Sequence, residues 1–137
     1  MHALGNDYLY FDCFTAPLEK PAALAARLSD RRKSVGGDGI VLLEKSDVAH
    51  AKMRIFNADG SEAETCGNGL RCAAKFLRDV RGVKDTPLKI ETLAGVKTLT
   101  PALNGRGETE NVCAEMGRAE FAAEKIPVLL SPDARGE

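Results

Sequence analysis

The chain has no run of roughly eighteen apolar residues, so no membrane-crossing helix is expected. Neither sign of charge dominates. Nineteen Lys and Arg stand against twenty Asp and Glu, a net charge of −1. A general nucleic-acid or membrane-surface binder needs a basic excess, so neither partner is expected. Histidine is scarce, with only two residues. The four cysteines, Cys13, Cys66, Cys72 and Cys113, include no Cys-x-x-Cys pair and match no zinc spacing, so no metal is assigned. Met1 to Asp7 lack the basic segment and apolar stretch of a secretory leader. Reduced thiols in a cytoplasmic protein are the reading that follows. There is no internal repeat and no low-complexity tract. What is present is 44% apolar content over 137 residues. That excludes disorder and suffices for the core of one domain, or of one half of a two-domain enzyme.

Along the chain, Tyr8 to Phe14 reads as a strand. Pro21 opens an Ala/Leu helix running to about Arg32, with proline accepted in the first turn. Gly36-Gly37-Asp38-Gly39 lacks the lysine and spacing of a phosphate loop and reads as a tight turn. Ile40 to Leu43 is a continuous apolar run, hence a buried strand. Met53 and Ile55 alternate with Lys52 and Arg54 in a half-exposed strand ending near Asn57. Gly67 to Val80 carries the strongest helical pattern, with Leu70, Ala73, Ala74 and Leu77 on one face and Gly82 at its expected stop. Strands follow at Leu88 to Leu93, Val96 to Leu103 and Val112 to Met116, the first two joined by a turn at Ala94-Gly95. Strands outnumber the crossover helices that a doubly wound sheet needs. The expected fold is α+β: a curved, largely antiparallel sheet, barrel-like, wrapped around the Gly67 to Val80 helix. The expected domain covers residues 1–120, and 121–137 reads as a linker or the start of a second domain.

The chemistry concentrates where Asn57-Ala58-Asp59-Gly60-Ser61-Glu62 leads into Thr65-Cys66-Gly67-Asn68-Gly69. A strand ends, the chain turns, and a cysteine stands directly before a helix. The first turn of a helix has unpaired N–H donors and a partial positive charge. Glycines on both sides of Asn68 let a ligand approach that backbone closely. Such a place binds a carboxylate and favours the thiolate of a neighbouring cysteine. Cys66 could thus act as a base on the carbon beside a bound carboxylate. A cysteine at a glycine-rich helix start is more often structural than catalytic, so the residues alone leave open a non-catalytic carboxylate-binding module and an inert structural remnant. Cys13, Cys72 and Cys113 read as small buried hydrophobes. His2 and His50 are isolated. Arg27, Arg31, Arg32 and Lys33 read as a solvated helix end.

Several segments together resemble the N-terminal half of diaminopimelate epimerases. They are Met1-His2-Ala3-Leu4-Gly5-Asn6-Asp7-Tyr8, Gly37-Asp38-Gly39, Arg54 through Glu62, and Cys66-Gly67-Asn68-Gly69-Leu70-Arg71-Cys72, in that family's order and spacing. Asn68 stands where the related proline racemases typically carry His. The resemblance implies a cofactor-independent isomerase that inverts the α-carbon of diaminopimelate, the family using two cysteines on opposite faces of the substrate. It implies Cys66 as the first-half acid/base, with Asn6, Asn57, Gly67 and Asn68 as substrate contacts, Gly67 and Asn68 through their backbone N–H groups. Asp38 receives no direct role. Some members carry Gln where this chain has Gly39, so that substrate contact is absent or replaced here. The family's second cysteine and Glu-Arg pair have no counterpart in these residues, and Cys113 lacks the helix-start context to replace it. The partner implied is a C-terminal half bearing that cysteine. Without its returning strand a sheet edge stays open, which leaves homodimerisation available.

Overall fold

A computed structural model of the chain describes residues 1–122 together with 125–126. Most of the linker expected from residue 121 onward lies outside the described residues. The elements are β1 (His2–Ala3), β2 (Asn6–Asp12), α1 (Pro21–Leu28), β3 (Gly39–Glu44), β4 (Ala51–Asn57), β5 (Glu62–Ala63), α2 (Gly67–Lys75), β6 (Leu88–Thr92), β7 (Gly95–Leu103) and β8 (Thr109–Ala114). The strands form one sheet in the order β1-β2-β3-β4-β6-β7-β8, with β5 added beside β4. β2 and β3 run parallel, as do β4 and β6, and the other pairs are antiparallel. The expected curved, largely antiparallel sheet around a central helix is what forms.

The apolar run in β3 makes both faces of the sheet necessary. Ile40 and Leu42 point to one side, where Ala25 of α1, Phe56 and Cys13 close a small core. Val41 and Leu43 point to the other, where Met53, Ile55, Leu88, Ile90 and Leu99 meet α2. Each of the four β3 side chains is fully buried, which is why this strand shows no polar alternation. α2 contributes Leu70, Ala73 and Ala74, joined by Leu77 just past its end, all without solvent exposure, as the 3.6-residue spacing predicts. It packs against β1, β2, β6, β7 and β8, so the sheet curls round it from both ends. β1 and β8 do not pair with each other. Between them a cleft of about 580 Å³ runs along α2, past Arg71 and Lys75.

Local departures from the expected elements have local causes. α1 stops at Leu28 rather than near Arg32, because the Asp30 carboxylate takes the N–H groups of Arg32 and Lys33 and folds the chain into a turn. The turn between β6 and β7 is Leu93-Ala94, with Thr92 opposite Gly95. The strand pair β1–β2 is not among the expected elements; it turns on Leu4 and Gly5, both at positive φ, and β2 begins at Asn6 rather than Tyr8. Cys13 and Cys72 are buried as expected, but Cys113 is exposed. In β8 it faces away from α2, since the alternation puts Val112 and Ala114 against the core.

After α2 the helix widens into a π-helical turn, Phe76–Val80, where the expected α-helix would have continued. The wider turn keeps Leu77 in the core. The Asp79 carboxylate meanwhile accepts from the Thr109 N–H at 3.2 Å, the Thr109 hydroxyl at 2.8 Å and Lys75 Nζ at 2.6 Å. This cluster fastens the start of β8 to the helix. Burial works against the Asp79 charge, yet these hydrogen bonds hold its carboxyl below the usual value. A lowered pKa stabilises the fold above the unfolded-state value and is lost as pH falls through the folded one. Asp79→Ala should therefore cost about 1–2 kcal/mol at neutral pH. The gap to wild type should close in urea melts below about pH 4. A gap of the same size at pH 3 would assign the loss to packing instead.

Candidate active site

Cys66 is the N-cap of α2, with extended backbone at φ −147° and ψ 115°. Its half-buried sulfur accepts from the Gly69 N–H at 3.4 Å. A Cβ at Gly69 would sit 3.4 Å from Cys66 Cβ and 3.6 Å from its Sγ, in ordinary van der Waals contact, so the packing here is close but has room. The Gly67 and Asn68 N–H groups, first in the helix, have no acceptor among the described residues. They are the donors that a carboxylate at this helix start would take.

The Cys66 thiol also donates to Asn6 Oδ1 at 3.4 Å, across a sequence separation of 60 residues. The β1–β2 turn brings this about. It starts β2 at Asn6, and period-two alternation places Asn6, Tyr8 and Tyr10 on the face that looks at α2. The Tyr10 hydroxyl donates to the Gly69 carbonyl at 3.1 Å and so anchors the first turn of α2 to β2. Burial, and then the negative charge of neighbouring sulfurs, pushes both phenols above the ordinary tyrosine range. Tyr8 is almost fully buried beside Cys66 and Asn6.

Of the expected site residues, Cys66, Gly67, Asn68 and Asn6 come together. The Asn68 side chain is turned toward its own helix, where its Oδ1 accepts from Arg71 Nη1 at 2.8 Å. Asn57 ends β4 opposite Gly39 and bonds within its own turn, its amide donating to Ser61 Oγ at 3.0 Å. Asp38 joins the two parts. Its carbonyl accepts from the Ala58 N–H at 3.1 Å, and its carboxylate accepts from Asn6 Nδ2 at 2.6 Å. Arg31 is correspondingly more than a solvated helix end: it forks onto Asp7 and reaches Asp38 Oδ1 at 3.0 Å. The hydrogen bonds from Arg31 hold the Asp7 carboxyl below its usual value. Sequence reasoning gives Asp38 no direct role, reads Arg31 as part of a solvated helix end, and assigns nothing to Tyr8. For Tyr8 a signal existed, since it shares the two-residue period with Asn6.

Among the described residues no three His, Cys, Asp or Glu side chains gather in a metal-binding group. No described helix is long and apolar enough to cross a membrane.

Comparison with known proteins places this geometry. A family model described as diaminopimelate epimerase matches residues 1–122. A diaminopimelate epimerase of Methanococcus maripaludis is 46% identical over 129 residues, covering 94% of this chain and 46% of that protein. One from Desulfitobacterium hafniense is 45% identical over 136 residues, covering 97% of this chain and 48% of its own length. Among solved structures, a PhzF-family phenazine biosynthesis protein of Bacillus anthracis aligns with a TM-score of 0.54 and 28% identity, over 72% of this chain and 30% of that one. A hydroxyproline epimerase from Agrobacterium vitis shares the fold at a TM-score of 0.54 and 19% identity, over 68% of this chain and 28% of that one. The chain spans about half the length of the curated relatives it matches. With the helix-start cysteine, its Asn6 partner and a family match over nearly all the described residues, the chain belongs to the diaminopimelate epimerase family.

Proposed function

We propose that this chain supplies one half of the active site of a cofactor-independent, cytoplasmic isomerase that interconverts the LL and meso forms of diaminopimelate, for lysine and peptidoglycan-precursor synthesis. The observation that carries this reading is the pair of partners on Cys66. A backbone N–H from Gly69 supports its thiolate, and the Asn6 amide oxygen supports its thiol. A residue that must take a proton in one direction and return it in the other needs both states within reach.

In the step proposed, the Cys66 thiolate removes the α-proton from one face of the bound amino acid. The electron pair of the C–H bond passes into the α-carboxylate, which gains charge. The Gly67 and Asn68 N–H groups meet that charge, and the helix start stabilises it without reorganising. A thiol supplied by the second half delivers a proton to the opposite face, and the sulfur that gave it up becomes the thiolate for the reverse direction. Asn6 and Asn57 bind polar groups of the substrate beside the reacting carbon. Residues 1–120 carry this half-site, and the chain beyond leads toward the second.

The test fuses the chain to the second half of a relative and follows the α-proton of diaminopimelate in D2O by NMR. Loss of the α-proton signal together with interconversion of the stereoisomers supports the reading. Binding without exchange would favour a carboxylate-binding module. Neither binding nor exchange would leave the fold as a structural remnant.

A further inference from the structure

We propose that Asp38 is a positioning residue for Cys66: by holding the nitrogen of the Asn6 amide, it keeps the amide oxygen on the thiol. An asparagine amide has two ends of nearly equal shape, and only its hydrogen-bond partners decide which end faces which neighbour. A carboxylate accepts and does not donate. Asp38 Oδ2 takes Asn6 Nδ2 at 2.6 Å and also the Asp7 backbone N–H at 3.0 Å. The amide oxygen is thereby left toward Cys66 Sγ, at 3.4 Å. Arg31 holds the far oxygen of the same carboxylate at 3.0 Å and is itself fixed on Asp7. The arrangement is a relay of Arg31, Asp38, Asn6 and Cys66 that links the loop before β3, the start of β2 and the start of α2.

The orientation matters because the two ends of the amide favour opposite forms of the sulfur. An oxygen toward the thiol stabilises S–H and repels the thiolate, whereas an N–H2 end would do the reverse. With Gly69 N–H already favouring the thiolate, Asp38 supplies the counterweight through Asn6. The titratable groups nearest the thiol are the Tyr8 and Tyr10 phenols of β2 and, reached through the Asn6 amide, the Asp38 carboxylate. β4 and the segment after β8 approach the helix start with Ile55 and Met116, neither of which titrates.

The proposal rests on Cys66 serving as both acid and base, but its test needs no turnover, so a failed relay and a failed epimerase reading show up in separate experiments. The intact chain is treated with iodoacetamide across a pH series, and the Cys66 peptide is quantified by mass spectrometry. Asp38→Ala should raise the Cys66 alkylation rate at pH 7 by about threefold to tenfold, the worth of one hydrogen bond. In an Asn6→Ala background the same substitution should change nothing further. A rise that persists without Asn6 would show that loss of the Asp38 charge acts directly, and overturns the relay. No rise in either background overturns it as well. A second measurement uses the unaltered chain and does not depend on a variant folding. The Asn6 side-chain Nδ2–H resonances should lie downfield, as for an amide bonded to a carboxylate. Resonances in the ordinary amide range would overturn the proposal.

Discussion

Cys66→Ala should lower interconversion of the diaminopimelate stereoisomers by about 10²–10⁴-fold in protein that has both halves, the range expected for one acid/base group. The 137-residue chain by itself should show no epimerisation above background. Both expectations come from the same geometry. Cys66 stands on one wall, at the start of α2, with its donors and acceptor around it. Inversion needs a proton taken from one face and another given to the opposite face. Cys13 and Cys72 are buried, and Cys113 points outward from β8, so no other described cysteine can serve as the second group. Exchange measured in D2O separates the two roles. With both halves present, Cys66→Ala leaves the second thiol able to act only on its own face, so stereoisomers should not interconvert. Robust turnover by the chain alone would sink the two-half reading. An unchanged rate in Cys66→Ala would remove Cys66 from the chemistry.

Much of this half-site is legible in the linear chain because its central part is local. Cys66, Gly67 and Asn68 are consecutive, and the apolar spacing of Leu70, Ala73, Ala74 and Leu77 announces the helix they begin. The buried β3 is likewise written as an unbroken apolar run. What escapes the sequence is contact between distant segments. Asn6 and Cys66 are 60 residues apart, and Asn6 and Asp38 are 32 apart. Neither bond leaves a periodic trace, because each is fixed by strand pairing of β2 with β3 and by the way the sheet closes on α2. Arg31 looked like one more charge on a basic helix end because its partners, Asp7 and Asp38, lie on other elements. The π-helical turn answers to Thr109, which arrives from β8 only after folding. Cys113 is a different case. The alternation that sends Val112 and Ala114 inward already turns residue 113 outward, and a general preference of cysteine for burial is weaker than that local rule.

Gly39→Ala should destabilise the fold by about 3 kcal/mol or more, a substantial share of what a domain of this size has in total. Gly39 begins β3 with φ at 157° and faces Asn57, the last residue of β4. A Cβ built on it would overlap the Phe56 carbonyl oxygen and lie 3.1 Å from Asn57 Cα, both backbone atoms that cannot rotate aside. The two strands would have to separate at the point where they position the site. Asp38, next to Gly39, holds Asn6 by its carboxylate and Ala58 by its carbonyl. The damage should therefore appear twice: as a lower urea midpoint, and as a change in Cys66 alkylation even in the fraction that stays folded. The same contact explains why a longer side chain cannot stand at this position in this backbone. Gly39→Gln should accordingly be at least as destabilising as Gly39→Ala. A midpoint unchanged in either variant would mean that the loop can move away from Phe56 at little cost, and that glycine at 39 answers to some other need.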